Sequence, residues 1–258
     1  MIAIFKKEIN SFFSSATAYL VIGLFLLVSG LFLWVFKGEF NILYNGFADL
    51  TPFFSLAPWI FLFLVPAVSM RSFAEEKRQG TFEMLLTKPT SKFNIVAGKY
   101  LAVLALAVLA LIPSLLYVVA VHSLGNPTGN IDLGSTAGSY LGLIFLVASY
   151  AAIGVFASSL TANQIVSFIL AVFVSFALYI GFESASDAIP DSGLDKLGMS
   201  SHYRSVGQGV IDSRDIIYFT GVIVLFLLAT TLSINGSIRK KKVIKPIVMT
   251  LTAVVLLH

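Results

Sequence analysis

The chain has 258 residues, of which 57% are apolar, 13% aromatic and only 12% charged, against about 25% charged residues in a soluble domain. That balance excludes an ordinary soluble globule, and the lack of cysteine excludes disulfides, iron–sulfur clusters and cysteine-bound zinc. The net charge of +4 is no sign of nucleic-acid binding, because the charge is concentrated in the gaps between apolar runs.

Those runs cover 17–36, 51–70, 99–121, 139–159, 163–182 and 216–234. As helices, each crosses a hydrocarbon layer of roughly 30 Å. None alternates with period two, so a closed barrel, the other spanning solution, is rejected. The expected fold is all-α and polytopic, with six transmembrane helices.

In chain order, residues 2–13 place Ile2, Phe5, Ile9, Phe12 and Phe13 near one helical face, with Lys6, Lys7 and Asn10 away from it. That pattern suits a helix lying in the membrane interface; a solvated, positively charged N-terminus is the plainer alternative. The first apolar run is too long for a signal-peptide core and lacks a small-residue cleavage pattern, so it reads as a retained span. Residues 37–50 make a short outer loop. In the second span Pro52 suits a first turn, while Pro58 and Pro66 are expected to kink or break the helix.

Next comes the densest charge in the chain, 71–89. It carries Arg71, Glu75, Glu76, Lys77 and Arg78, a Gly80-Thr81 turn, and then Phe82, Glu83, Leu85 and Leu86 ahead of Pro89. Thr81 can cap a short helix, Glu83 meets the positive end of its dipole, and Phe82, Leu85 and Leu86 make one apolar knob. Ser91 is the expected N-cap of the third helix, which starts outside the membrane and rises into it. Its far end meets the turn-rich stretch 125–130.

Gly134, Gly138 and Gly142 are spaced by four and form a smooth stripe that permits close helix approach. Packing within the protomer and a dimer interface are both open. Thr161 and Gln164 have capping-box spacing, which suggests a tight hairpin between spans four and five; Asn163 and Gln164 lining a polar path is the alternative. In 183–215, Tyr203, Val206, Val210 and Ile211 suggest an amphipathic piece, and one or two short surface or re-entrant helices are expected. Asp212 and Asp215 sit at the entry to span six. A basic cluster, Arg239–Lys242 in sequence, precedes 14 apolar residues that are too short to span.

Charge orients the chain. With both ends of the six-helix unit cytoplasmic, all of the 17 basic residues except Lys37, Lys196, Arg204 and Arg214 lie inside. The reverse topology would translocate both the 71–99 region and the 239–242 cluster.

Catalytic and energy-supplying motifs are missing. The sequence has no phosphate-binding Gly-x-x-x-x-Gly-Lys-Ser/Thr, His-Glu-x-x-His or Gly-x-Ser-x-Gly. His122 and His202 lie at or beyond membrane edges without an evident Ser or Asp partner. Within the assigned spans there is no Asp, Glu or Arg, and Lys99 sits at an edge. Ion-driven carriers usually need intramembrane ionisable groups, so a subunit driven by a partner is expected.

The order Glu76-x-x-x-Gly80-Thr81-x-Glu83-x-Leu85-Leu86-x-x-Pro89 between spans two and three resembles the cytoplasmic loop of type-2 ABC exporter permeases. Several blocks are similar to the permease branch of the gliding-motility ABC transporters of Bacteroidetes: Glu8-Ile-Asn-Ser-Phe-Phe-Ser-Ser15, Gly30-Leu-Phe-Leu-Trp-Val-Phe36, Phe53-Phe-Ser-Leu-Ala-Pro-Trp59, Met70-Arg-Ser-Phe-Ala-Glu-Glu76, Gly129-Asn-Ile-Asp-Leu-Gly134, Gly138-Ser-Tyr-Leu-Gly142, and Phe156-Ala-Ser-Ser-Leu160 with Asn163-Gln164. The likeness covers about residues 1–240.

The resemblance implies that 71–89 docks on a separate cytoplasmic ATPase, with Glu75, Glu76, Gly80, Thr81, Phe82, Glu83, Leu85, Leu86 and Pro89 as the coupling residues. ATP and Mg would then reside on that partner, with no cofactor in this chain. It further implies two ATPase copies, a second copy of the permease, a bacterial inner-membrane location and an auxiliary membrane-anchored periplasmic subunit. Residues 240–258 look like a basic linker and the start of such an auxiliary subunit, fused at the C-terminus. A mechanotransmitting or scaffold subunit that moves nothing across the membrane is the rival reading.

Overall fold

The computed structural model describes residues 1–86, 90–188, 194–209 and 212–234 of the chain. All its described elements are helical, and six helical stretches are long and apolar enough to cross a membrane. Helix α1 (Ile2–Ser14) leads into α2 (Thr17–Gly30), which loosens into a π-turn at Leu31–Val35 where Phe36 N–H donates to Leu31 O at 2.9 Å. After the short α3 (Ile42–Asn45) come α4 (Thr51–Ser69), α5 (Arg71–Arg78) and α6 (Phe82–Leu86). Helix α7 (Lys92–Leu111) joins α8 (Leu115–Leu124) through a tight turn at Ile112–Ser114. The long α9 (Leu133–Leu160) precedes α10 (Gln164–Phe176), whose second π-turn (Ala177–Gly181) runs into α11 (Phe182–Ala188). A 3₁₀ turn at Leu194–Leu197, then α12 (Met199–Gly207) and α13 (Ser213–Ile234), complete the described fold.

The apolar runs mark the spans but understate them. The third helix starts at Lys92 and the fourth at Leu133, because polar first turns escape a hydropathy reading. Ser91 Oγ accepts from Asn94 N at 3.3 Å, as its cap role requires. Asp132 Oδ1 accepts from the amides of Gly134 (2.9 Å) and Ser135 (3.1 Å). At the 160–164 hairpin the cap is Asn163, not a Thr161–Gln164 box. Asn163 Oδ1 accepts from Ile165 N at 2.9 Å, and Thr161 Oγ1 accepts from Asn163 N at 3.1 Å.

Helix α9 is the axis of the bundle. It packs against α4, α10, α12 and α13 and is apolar or small on every face, as a fully surrounded helix must be. At Gly154 an added Cβ would lie 2.8 Å from Ser69 Cβ and overlap its hydroxyl, so the Ser69 side chain of α4 sits directly on the backbone of α9 there. By contrast α2 exposes Leu20, Leu24 and Leu27, and α10 exposes Ile165, Ile169 and Phe173, each set on one stripe.

Of the two expected outcomes, a kink or a break, a break does not occur at Pro58 or Pro66: both lie inside a helix that runs to Ser69. Proline at 58 leaves the carbonyl of Phe54 without its helical donor. The hydroxyl of Tyr203, reaching in from α12, donates to that oxygen at 2.7 Å. The actual break comes at Met70, and Ser158 of α9 repairs it. Ser158 Oγ accepts from Phe73 N (2.9 Å) and Ala74 N (3.0 Å) and donates to Met70 O (2.9 Å). A buried backbone group left unpaired costs about 1–3 kcal/mol, so one serine makes this bend tolerable inside the bundle.

Candidate functional site at the basic end

The 71–89 segment folds as a helical elbow. Helix α5 prolongs α4 past the Met70 break and ends in a Schellman closure: Thr81 N–H donates to Glu76 O at 3.0 Å and Gly80 N–H to Lys77 O at 3.3 Å. Gly80 has φ +72°, a left-handed conformation that costs a Cβ-bearing residue energy. Thr81 opens α6 by accepting Leu85 N–H on its carbonyl (3.2 Å), while its hydroxyl donates to Glu76 O (3.4 Å).

The structure divides the anticipated apolar knob. Leu85 is buried, and Phe82 is half-buried edge-on against Phe73, with ring centroids 6.3 Å apart. Lys77 lies over the Phe82 ring at 5.2 Å and donates to Ser159 O at the base of α9. These groups anchor α6 to the bundle. The outward surface is Glu83 and Met84, the latter 70% exposed. With Phe82 and Leu85 turned to the chain's own bundle, Glu83 and Met84 are on the side of α6 that faces away from it. Leu86 ends α6, and Pro89 lies outside the described residues.

Beneath the elbow is an ion cluster. Lys99, read as an edge residue, is in fact buried, with a 2% exposed side chain. Its Nζ meets Glu8 Oε1 of α1 at 2.8 Å and Glu76 Oε1 of α5 at 3.0 Å, and sits over the Phe73 ring at 5.1 Å. Lys7 adds a longer contact to Glu76 Oε1 at 3.4 Å, whereas Glu76 Oε2 is buried with no hydrogen-bond partner among the described residues. One ammonium therefore ties α1, α5 and α7 together. A buried charge is stable only when paired and hydrogen-bonded, so these three helices are coupled at this point. Glu75, by contrast, is half-buried beside the cluster and accepts from Gln79 Nε2 at 3.2 Å. Opposite charges at the same membrane edge on neighbouring helices were the available signal for this cluster. Spacing alone could not show that α1 folds back onto α7.

At the opposite end the glycine stripe is occupied from within the chain. A Cβ at Gly138 would meet Val206 O at 2.7 Å, and one at Gly142 would meet Val206 Cβ at 3.3 Å; Gly134 faces only its own cap, Asp132 Oδ1, at 3.3 Å. Helix α12 therefore fills the stripe at Gly138 and Gly142. Ser135 Oγ and Ser139 Oγ both donate to Gly207 O, at 2.8 and 3.3 Å.

His202 has the partner its sequence neighbourhood did not reveal. Its Nδ1 lies 2.6 Å from Asp215 Oδ1 and its Nε2 2.8 Å from Lys196 O, and the ring stacks on Tyr218 at 4.0 Å. A carbonyl only accepts, so Nε2 carries a proton. Buried and held at both nitrogens, His202 ties α12 to α13. Burial also holds the Tyr203 phenol well above its usual range. The exposed Asp212 carboxyl is held below the usual range by the backbone N–H of Arg214. Val210 and Ile211, and the whole of 240–258, lie outside the described residues.

Residues 2–196, well over half of the chain, match the family model described as ABC-2 family transporter protein. No curated protein is significantly similar to the chain.

Proposed function

Because the chain belongs to the ABC-2 transporter family and is a multi-pass membrane subunit rather than the ATPase itself, we propose that its α5–α6 elbow is where a cytoplasmic ATPase docks. The observation that carries this reading is the division of α6, with Phe82 and Leu85 anchored inward and Glu83 and Met84 turned out on a helix joined to α4 through α5. A push on α6 passes to α4 through α5 and to α1 and α7 through Lys99. ATP and Mg belong to the partner, two copies of which serve a dimer of this chain. The basic ends face the cytoplasm, in the inner membrane of a bacterium. The finer reading is a gliding-motility type transporter with an auxiliary periplasmic subunit, supported by the sequence blocks quoted above.

The test is a double variant, Glu83→Lys with Met84→Asp, purified with its membrane complex. The expected result is a folded permease that has lost the ATPase. Undiminished co-purification and activity would remove the elbow as the docking surface. Orientation is checked by a reporter active only in the periplasm. It is expected to be silent when fused after Pro89 and active after Pro127, and the reverse pattern would invert the topology.

A further inference from the structure

We propose that the cleft between α1, the start of α2 and α5 binds the phosphodiester headgroup of an anionic phospholipid, in the leaflet on the α1 side. The cleft has a volume of about 330 Å³ and is lined by Lys7, Ser15, Thr17 and Arg71 together with the Lys99 cluster. Its charges are not equally committed. Glu8 and Glu76 are held by Lys99, and Lys7 reaches Glu76. Glu75 also lines the cleft and accepts only from the neutral Gln79 amide. Arg71 has no ion-pair partner among the described residues. Its one hydrogen bond there is a 3.4 Å contact from Nη1 to Thr17 Oγ1. Thr17 Oγ1 in turn bonds Ser15 Oγ at 3.0 Å. The Ser15 hydroxyl is the donor in that contact, so a guanidinium with open donors beside the Thr17 hydroxyl is the donor set that a phosphate accepts from.

The surroundings select a lipid over a soluble anion. Arg71 and Thr17 stand where two spans leave the apolar layer, which is headgroup depth. Phe13 and Tyr19 form an exposed edge-on aromatic pair beside the cleft, 5.9 Å between centroids, as interfacial aromatics do. Directly above, Leu20, Leu24 and Leu27 expose a continuous apolar stripe along α2 on which acyl chains would lie. Lipid bound here bridges α1, α2 and α5, so it would stabilise the elbow's mount. The inference depends only on membrane embedding and stands apart from the ATPase reading.

The test uses the full chain in mild detergent or nanodiscs, with phosphatidylglycerol and phosphatidylcholine as probes and native mass spectrometry as the readout. Wild type is expected to retain phosphatidylglycerol preferentially. Arg71→Gln should weaken that retention about tenfold, the scale of a lost charge-assisted contact. Thr17→Val should weaken it by a smaller factor, and Lys6→Gln, an exposed base on the same helix as Lys7, should leave it unchanged. Equal losses in Arg71→Gln and Lys6→Gln would reduce the effect to general surface charge and overturn the site. Displacement of the lipid by inorganic phosphate with the same Arg71 dependence would reassign the cleft to a free anion. If Arg71→Gln does not purify folded, unchanged preference in Thr17→Val overturns the proposal.

Discussion

The two ends of this bundle solve one problem with a different balance of charge and close contact. At each, a short amphipathic helix must be fastened to the spanning helices. At the basic end α5 is fastened to α7 by charge, through Lys99 between Glu8 and Glu76, and α1 by that ion cluster together with the seat of Ile4 on Gly98. At the other end α12 is fastened to α9 by contact, with Val206 seated on Gly138 and Gly142 and the Ser135 and Ser139 hydroxyls closing on Gly207. An ion cluster tolerates small movements, because Coulomb attraction falls slowly with distance. A glycine contact tolerates almost none, because a repulsive wall is steep. The end proposed to receive a mechanical input is the one held by charge.

The sharpest way to break this contrast is Lys99→Met. It leaves Glu8 and Glu76 facing each other in a buried site, and removing one partner of a buried pair costs about 3–5 kcal/mol. Thermal unfolding in detergent should show this as the largest loss of any single change considered. Adding Glu8→Gln and Glu76→Gln should recover most of it, because no uncompensated charge then remains. If Lys99→Met unfolds like wild type, the ionic tie is not structural.

At the contact-held end, Gly138→Ala places a methyl against the backbone oxygen of Val206 and should cost about 1–3 kcal/mol as overpacking. Gly23→Ala on α2, with nothing within 4 Å of the new Cβ, should be neutral or stabilising by up to about 1 kcal/mol. Equal effects at the two positions would dissolve the distinction between a seated and a free glycine.

The smallest loss of stability probes the proline repair. Tyr203→Phe should cost about 1–2 kcal/mol by orphaning Phe54 O. In a Pro58→Ala background the helix supplies its own donor, so the same substitution should cost markedly less. A double-mutant cycle reads the coupling, and strict additivity would show that Tyr203 is there for packing alone.

The difference between the two ends also explains what could be anticipated. Six spans, their charge asymmetry and the Gly80-Thr81 elbow are legible because they depend on local composition and on one turn of chain: hydropathy over a helix length, a left-handed glycine, a capping serine at 91. The apolar side of α6 is legible as a pattern, but its direction is not. Only the position of Phe73 shows that Phe82 and Leu85 face inward and that Met84 is what remains outside. Pro58 reads as a break because its lost donor is a local fact, whereas the replacement donor lies 149 residues along the chain in α12.

Local chemistry in the sequence thus determined that this chain is an all-α membrane protein, where its helices run and which segment is built as an exposed elbow. Tertiary structure alone decided which polar groups meet: Lys99 with Glu8 and Glu76, His202 with Asp215, Ser158 with the opened turn at Met70, Tyr203 with Phe54. The reason is physical. In an apolar layer almost any apolar sequence of sufficient length satisfies its own backbone as a helix. Helix positions are therefore set by close seats such as Val206 on Gly138 and by the few polar groups that must find partners, and both kinds of partner lie on other helices, at separations no local pattern encodes.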